Sequence, residues 1–210
     1  MELLQRIAED VLKGNYEEMP QLVQQALNAK FSPSQILNEG FLAGMDVVGE
    51  KFKADELFLP EVLIAARAMQ AGMDRLRPLL GDAGLELAGK IVLGTVQGDL
   101  HDIGKNLVRM MLEGAGYQVI DLGVDVAPQR FVDAVKWNRP EIVGLSALLT
   151  TTMPMMETVI RSLAEAGMRN TVKVMVGGAP VTERFAETIG ADGYAPDALQ
   201  AVEKARELTG

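Results

Sequence analysis

The sequence predicts a helical amino-terminal domain followed by an α/β domain built on a doubly wound parallel sheet. Two observations support this fold class. Residues 1 to about 80 carry apolar side chains at the three- and four-residue spacing of amphipathic helices. From Lys90 onward, short apolar runs end in glycine or polar residues and alternate with helical stretches. We therefore expect domains at 1–80 and 90–210, joined by a glycine-containing linker at 81–89.

Four helices are predicted in the first domain. The first two place their apolar side chains within 3–12 and 19–27. Ser32, which precedes Pro33, is the expected cap of a third helix. A fourth helix is expected to begin at Pro60, because the fixed φ of proline suits a first helical turn. Four apolar-faced helices joined by short turns form a small bundle.

Five short strands are predicted in the second domain, in the five-strand order of flavodoxin-like folds. They are 91–96, 118–122, 142–145, 174–176 and a weaker one near 193–194. Ligands of such sheets bind where the strands end, so we expect the functional site at their carboxyl ends. A phosphate-binding loop is not predicted, because no Gly-x-x-x-x-Gly-Lys-Ser/Thr pattern follows the first strand.

Composition excludes several functional classes. The formal net charge of −9 over 210 residues argues against a nucleic-acid partner. The absence of cysteine excludes disulfides, thiolate metal sites and cysteine nucleophiles. Because the chain has one histidine, a metal would have to bring most of its own ligands. We find neither a signal-peptide pattern nor an apolar run of membrane-spanning length, so a cytoplasmic protein is expected.

The single histidine, His101, follows the first predicted strand and precedes a helical stretch. One nitrogen of its ring can bind a metal while the other donates to a carboxylate that fixes the tautomer. Asp99 is the nearby candidate for that carboxylate. The alternative is a polar loop histidine without a role.

The pattern Asp99-x-His101-x-x-Gly104 resembles the signature of proteins that bind cobalamin with a histidine in place of the cofactor's own base. Two further elements of that family stand at strand ends. They are Ser146-Ala147-Leu148 after the third strand and Gly177-Gly178 after the fourth.

The resemblance implies a cobalamin or related corrinoid cofactor, with His101 as the lower axial ligand of cobalt. It also implies that the detached nucleotide tail lies in a slot between the central strands, where Gly98, Gly144, Gly177 and Gly178 leave room. The cofactor-binding residues implied in this domain are Gly98, Asp99, Leu100, His101, Asp102, Ile103, Gly104, Ser146, Leu148, Thr150, Gly177, Gly178, Ala179 and Tyr194.

The helical domain resembles the cap of methionine synthase and of short methyl-carrying corrinoid proteins, through the stretches 44–52 and 58–62. The resemblance implies that Phe52 and Leu59 cover the upper face of the corrin and shield the methyl group. Met45 and Val62 are their expected neighbours. The alternative is that these apolar side chains only form the bundle core.

The resemblance further implies a proton relay beside the histidine. Asp99 would orient His101 and store a proton when the histidine leaves the cobalt. A serine completes this relay in methionine synthase, and the matching position here is Thr152. The alternative for 150–152 is helix capping, which threonines near a helix start commonly perform.

The function implied is that of a corrinoid methyl carrier in a multi-component methyltransferase system, a component that needs partners to turn over. A donor-specific methyltransferase would load it from a methoxylated aromatic, a methylamine or methanol, with the first two favoured. A second methyltransferase would pass the methyl group to tetrahydrofolate or coenzyme M, and a reductive activating protein is also expected.

Three alternatives remain at this point. They are a cobalamin-dependent sensor or regulator without its own DNA-binding module, a carbon-skeleton mutase domain, and a flavin or nucleotide binder of the same fold.

Overall fold

The computed structural model describes residues 2–82 and 88–210. These residues form two compact units, the helices up to Asp82 and the α/β part that begins at Gly89. Most of the expected linker at 81–89 lies outside the described residues; Asp82 still belongs to the last helix of the first unit, and Gly89 begins the first strand. Across the described ranges, the helices are too short or too polar to cross a bilayer.

The first unit is the predicted helical bundle, with one irregular helix. Its core is made by side chains of every long helix, among them Ile7, Val23, Phe41 and Met69. Its elements are α1 (Glu2–Lys13), α2 (Met19–Asn28), α3 (Pro33–Gln35), a π-helical segment (Ile36–Leu42), α4 (Ala43–Lys53) and α5 (Leu59–Asp82). The predicted third helix is therefore one continuous run with a π-helical middle.

Two helix starts in this unit follow the sequence signals. The Ser32 hydroxyl accepts the Gln35 N–H at 3.1 Å, and the Gln35 side chain accepts the Ser32 N–H at 3.0 Å. This reciprocal pair is a capping box, so the predicted cap is confirmed. Helix α5 begins at Leu59, one residue before the predicted start, and Pro60 lies in its first turn.

The glycines of α4 have different surroundings. A Cβ added at Gly44 would lie 2.8 Å from the carbonyl oxygen of Ala8, so α4 approaches α1 at backbone distance there. A Cβ at Gly49 would meet no atom within 4 Å. Only the first glycine is required by packing.

The second unit is a five-stranded parallel sheet in the order β2-β1-β3-β4-β5. The flavodoxin-like order predicted from the sequence is confirmed. The strands are β1 (Gly89–Thr95), β2 (Tyr117–Asp121), β3 (Ile142–Ser146), β4 (Lys173–Gly177) and β5 (Gly193–Ala195). The helices are α6 (Ile103–Gly114), α7 (Pro128–Asn138), α8 (Pro154–Glu165), α9 (Glu183–Ile189) and α10 (Ala198–Thr209), with a 3₁₀ turn at Arg169–Thr171.

Strand register aligns four residues at the carboxyl ends of β1, β3, β4 and β5. Thr95 pairs with Ser146, Ser146 with Gly177, and Gly177 with Ala195. Because side chains alternate along a strand, the row two residues earlier points to the same face. That row is Leu93, Gly144, Met175 and Gly193.

The opposite face of the sheet is a closed apolar core. Val92, Val143 and Val174 pack there with Phe131 of α7 and Val159 of α8. The face that carries Gly144 is covered by α6 and α10 and contains the cavity described below.

Candidate functional site

A fully buried carboxylate, that of Asp99, lies at the centre of the site. Its Oδ1 lies 2.7 Å from Nδ1 of His101 and accepts the backbone N–H of the same residue at 3.1 Å. Its Oδ2 accepts the N–H groups of Leu148 and Leu149 at 2.8 and 3.2 Å. The Thr152 hydroxyl donates to the same oxygen at 2.7 Å. One side chain thus joins the loop after β1 to the loop after β3.

The electrostatics of Asp99 decide the tautomer of the histidine. Burial raises the pKa of Asp99, but hydrogen bonds from Leu148, Thr152 and His101 together outweigh burial and hold that pKa well below its usual range. The group is therefore a carboxylate at neutral pH and can only accept hydrogen bonds. Nδ1 of His101 must then carry a proton, which leaves the lone pair of Nε2 for a metal.

The backbone beside the histidine is also fixed. The buried Thr95 hydroxyl donates to the His101 carbonyl at 2.8 Å. Gly98 has a φ of +84°, which permits the sharp exit from β1, and its N–H donates to the Asp125 carboxylate at 2.7 Å. The imidazole itself is half exposed, with 50% of its side-chain surface open. The ring is held from one side and accessible from the other.

Exposed apolar side chains flank the imidazole. Leu100 and Ile103 are 72% and 86% exposed, and Leu148 and Leu149 are each about two-fifths exposed. Exposed apolar patches of this kind usually mark a binding surface. The residues around His101 therefore form an exposed apolar surface suited to ligand binding.

A cavity of about 510 Å³ lies between the sheet and helices α6 and α10. Its volume is within the range of small-molecule sites. The predicted residues that line it are Leu100, His101, Asp102, Ile103, Gly104, Gly144, Ser146, Leu148, Gly177, Gly178 and Ala179. The structure thus brings these predicted residues together around one cavity.

Three glycines keep this region open. A Cβ at Gly144 would lie 2.7 Å from Cδ1 of Leu93, and one at Gly177 would lie 2.7 Å from the carbonyl oxygen of Ala195. Gly178 has a φ of +129°, and its Cβ would overlap the Ala147 carbonyl. Side chains at these positions would displace the neighbouring strands or fill the cavity.

Some predicted residues lie outside the cavity lining. Tyr194 packs against the apolar core on the opposite face, because its neighbours Gly193 and Ala195 take the face of the cavity. Thr150 is exposed in the loop before α8, and Gly98 serves the turn after β1. Asp99 lies beneath the histidine.

The capping alternative for the threonines does not match the structure. Helix α8 begins at Pro154, and its N-cap residue is Met153, whose side chain makes no capping hydrogen bond. The Thr152 hydroxyl lies instead within hydrogen-bond distance of Asp99 and of the Leu149 carbonyl.

Sequence reasoning missed a buried ion pair next to the cavity. The Lys105 side chain is 1% exposed, and its Nζ lies 2.7 Å from both carboxylate oxygens of Asp121. Arg109 approaches the same carboxylate at 3.2 Å. Burial raises the pKa of Asp121, but the hydrogen bonds and charges of Lys105, Gly123 and Arg109 outweigh burial and lower it. The only signal in the sequence was a lysine directly after Gly104.

The start of α10 was also missed. The cavity is lined there by the end of β5, the turn that follows it and the first turn of α10, through Ala195, Pro196, Asp197, Ala198 and Ala201. The end of the weak fifth strand at the same edge of the sheet could have indicated them.

The four predicted cap residues differ in exposure within the helical unit. Met45 and Val62 are buried in its core, at 7% and 2% exposure. Phe52 is partly buried, whereas Leu59 is 45% exposed. Phe58, which sequence reasoning did not single out as a shield, is 66% exposed.

These features define the class of protein. The imidazole is fixed by a carboxylate and lies beside an exposed apolar surface and a glycine-lined cavity at the strand ends. This arrangement fits a ligand that brings its own metal. The sequence pattern of the B12 binding domain matches residues 89–203, and a second B12 binding domain pattern matches residues 3–77. The chain belongs to the B12-binding family, and its cofactor is cobalamin or a related corrinoid containing cobalt.

Similar proteins place it among the corrinoid proteins of that family. It is 46% identical over 209 residues to a dimethylamine corrinoid protein of Methanosarcina barkeri, covering 99% of this chain and 97% of that one. It is 44% identical over 204 residues to a trimethylamine corrinoid protein of Methanosarcina acetivorans, covering 96% and 94%.

Two solved structures are also similar. A cobalamin-binding protein from Desulfitobacterium hafniense is 37% identical with a TM-score of 0.76, covering 99% of this chain and 98% of that one. A chain of the methanol:cobalamin methyltransferase complex MtaBC from Methanosarcina barkeri is 31% identical with a TM-score of 0.89, covering 99% and 80%.

Proposed function

We propose that this corrinoid methyl carrier serves a methylamine methyltransferase system. The observation that supports the carrier role is the half-exposed His101, which Asp99 holds so that Nε2 is available beside a glycine-lined cavity. The bound corrinoid supplies a cobalt ion that can hold and release a methyl group. The residues of the chain bind that cofactor, orient the histidine and hold a proton.

His101 is the proposed lower ligand, through Nε2. Because Asp99 accepts from Nδ1, the ring has the correct tautomer before the cofactor arrives. The Thr95 hydroxyl fixes the His101 backbone. The ligand is therefore already oriented in the folded chain, and little ordering is needed on binding.

The proposed relay runs from His101 to Asp99 and Thr152. When Nε2 is not bound to metal it can take up a proton, and the buried Asp99 carboxylate balances the resulting imidazolium charge. The Thr152 hydroxyl and two backbone N–H groups stabilise that carboxylate. The contact that such a relay needs between Thr152 and Asp99 is present.

The helical unit is the proposed cap over the upper face of the corrin. Leu59 and Phe52 keep the shielding role that the resemblance implies, and the exposed Phe58 joins them. Met45 and Val62 support the cap from within the bundle. The cap must uncover the methyl group when a partner docks.

Methylamines are the proposed donors because relatives named for di- and trimethylamine are 44–46% identical over nearly the whole chain. The proposed partners of this protein are a donor methyltransferase, an acceptor methyltransferase for tetrahydrofolate or coenzyme M, and a reductive activating protein. The similarity to a chain of a methyltransferase complex supports the first of these.

Methylation of the reduced, cobalamin-loaded protein tests the proposal. We expect stoichiometric methylation, followed by absorbance, with dimethylamine or trimethylamine and the matching methyltransferase. Methanol with a methanol-specific methyltransferase should be much slower, and omission of the methyltransferase should abolish the change. Equal rates with methanol would contradict the donor assignment, and sustained transfer by the chain alone would contradict the carrier role.

Replacement of the histidine tests its role directly. In the cobalt(II) form, nitrogen hyperfine splitting from His101 should be present in the wild type and lost in His101→Ala. Thr158→Val is a suitable control, since it alters a partly buried polar residue whose hydroxyl bonds within α8, to the Pro154 carbonyl. An unchanged spectrum in His101→Ala would exclude this residue as the ligand.

A further inference from the structure

We infer that the deep end of the cavity selects a corrinoid whose nucleotide tail ends in an apolar benzimidazole-type ring over one that ends in a purine. The inference rests on the proposed function, because it concerns the cofactor that His101 holds. The observation behind it is a difference in polarity between the two ends of the cavity.

The mouth of the cavity carries polar side chains beside the exposed apolar ones described above. It lies at the carboxyl ends of the strands, where His101, Asp102 and Ser146 line it together with the backbone of Gly177 and Gly178. Hydroxyl and backbone groups suit the ribose and phosphate of a nucleotide tail. The polar part of the tail therefore belongs at this end.

The deep row of the sheet is apolar. Leu93, Gly144 and Met175 line the cavity two residues before the strand ends, which places them about 7 Å further in. Gly144 leaves a gap between its two larger neighbours. The thioether of Met175 borders that gap, and methionine sulfur makes favourable contacts with aromatic ring edges.

Apart from Lys105 in the first turn of α6, which is paired with Asp121, the helices that cover the sheet add apolar side chains to the lining. Leu107 and Val108 come from α6, and Ala198 and Ala201 come from α10. The two alanines, on successive turns, leave space that larger side chains would occupy. The deep end is thus shaped for a ring and offers no polar side chain from these positions.

The charged side chains in the lining are already engaged. Lys105 is bound by Asp121, and the Asp102 carboxylate accepts the Asn106 amide at 3.0 Å. The Asp197 carboxylate caps α10, accepting the Gln200 N–H at 2.8 Å and its side-chain amide at 3.0 Å. All three groups stand at the starts of α6 and α10 and not in the deep row of the sheet.

The identity of the base follows from this polarity. Adenine has several ring nitrogens and an amino group that require partners once water is removed, whereas dimethylbenzimidazole has a single free ring nitrogen. Unpaired polar groups in an apolar site weaken binding by about tenfold or more. The cavity should therefore discriminate against the purine.

Equilibrium dialysis of the cofactor-free chain against three probes tests the inference. The probes are cobalamin, adeninylcobamide and cobinamide, which lacks the nucleotide. We expect cobalamin to bind about tenfold or more tightly than adeninylcobamide. Met175→Gln, which adds an amide to the deep row at similar volume, should reduce that ratio. Met155→Gln makes the same change in α8 on the opposite face and should leave the ratio unchanged.

Ala201→Ser serves as a second deep-row variant should Met175→Gln fail to fold. Equal affinities for cobalamin and adeninylcobamide would overturn the inference, as would cobalamin binding no tighter than cobinamide. The inference would also be overturned if a folded deep-row variant left the ratio of the cobalamin and adeninylcobamide affinities unchanged. Failure of the proposed function has a separate signature, because then no probe, cobinamide included, would show nitrogen hyperfine splitting from His101.

Discussion

At the scale of single residues, the site depends on how many donors surround one carboxylate. Asp99 accepts from two backbone N–H groups of the loop after β3, from the Thr152 hydroxyl and from His101. These contacts stabilise its charge despite complete burial. Thr152 contributes through its hydroxyl, which is the part of the side chain that contacts Asp99.

Removing that hydroxyl should weaken both the fold and the relay. Thr152→Val keeps the shape but leaves Asp99 one donor short, so the free energy of unfolding should fall by about 1–3 kcal/mol in urea titrations. Thr152→Ser keeps the donor and should lose less. In the loaded protein, Thr152→Val should also shift the pH at which His101 leaves the cobalt.

Thr158→Val is the matched control for this prediction. Its hydroxyl donates only within α8, to the Pro154 carbonyl at 3.2 Å, so its loss should change stability by less than about 0.5 kcal/mol. Equal losses in the two valine variants would argue against a special role for Thr152, as would an unshifted pH of ligand release.

Sequence reasoning succeeded at this scale where the signal was local. Asp99 and His101 are two residues apart, so their pairing could be predicted from the motif. Lys105 and Asp121 are 16 residues apart in sequence and meet only because β2 lies beside β1. Tyr194 shows the sensitivity of strands, since one residue along β5 changes the face of the sheet.

At the scale of elements, the Lys105–Asp121 pair ties the first turn of α6 to the end of β2. Asp121→Asn leaves a buried ammonium without its carboxylate, and the free energy of unfolding should fall by about 3–5 kcal/mol. The double variant with Lys105→Met should recover most of that loss. Additive losses in the double variant would show that the two side chains do not act as a pair.

The same pair should contribute to acid sensitivity. Because the folded-state pKa of Asp121 is lowered, its stabilising effect is present above the unfolded value of about 3.9 and is lost as the pH falls through the folded value. The decline in stability between about pH 5 and pH 2 should thus be shallower in the double variant. Unfolding in urea at a series of pH values measures this slope.

The two glycines of α4 give opposite expectations for one substitution. Gly44→Ala would push a methyl group against the Ala8 carbonyl and should destabilise the bundle. Gly49→Ala meets nothing and should stabilise it by about 0.5–1 kcal/mol, because alanine loses less backbone freedom in a helix. Thermal unfolding of both variants checks the pair, and a stabilising Gly44→Ala would contradict the close contact with α1.

At the scale of the whole molecule, the architecture was predictable because it follows from the spacing of apolar residues and from the glycine and polar residues that end the apolar runs. Strand runs that end in glycine set the parallel sheet, and helical spacing set the bundle. The π-helical segment Ile36–Leu42 was not predictable, since its apolar spacing resembles that of an ordinary helix. The exposure of Phe58, just before α5, was also not evident, because large apolar side chains are usually buried.

The exposed side chains of the proposed cap should protect the methyl group. With methylcobalamin bound, Leu59→Ala and Phe58→Ala should speed light-driven loss of the methyl group, because both side chains are exposed on the proposed cap. Met45→Ala should instead lower the free energy of unfolding by about 2–5 kcal/mol, since that side chain is buried. Absorbance under constant illumination follows the first effect and urea titration the second.

The discriminating comparison is between exposed and buried positions. Equal photolysis rates in Leu59→Ala, Phe58→Ala and the wild type would remove the shielding role from these residues. Phe52→Ala, at a partly buried position, should show both effects in smaller measure.

The half-exposed imidazole also makes this chain unusually simple to observe. With one histidine in 210 residues, nuclear magnetic resonance spectra of the ring contain a single set of signals that needs no assignment by mutagenesis. Nitrogen chemical shifts of that set should report a protonated Nδ1, because this nitrogen donates to the Asp99 carboxylate. The signals of a polyhistidine purification tag would overlap with those of His101, and the tag would add competing cobalt ligands. The protein is therefore better isolated with a tag that contains no imidazole.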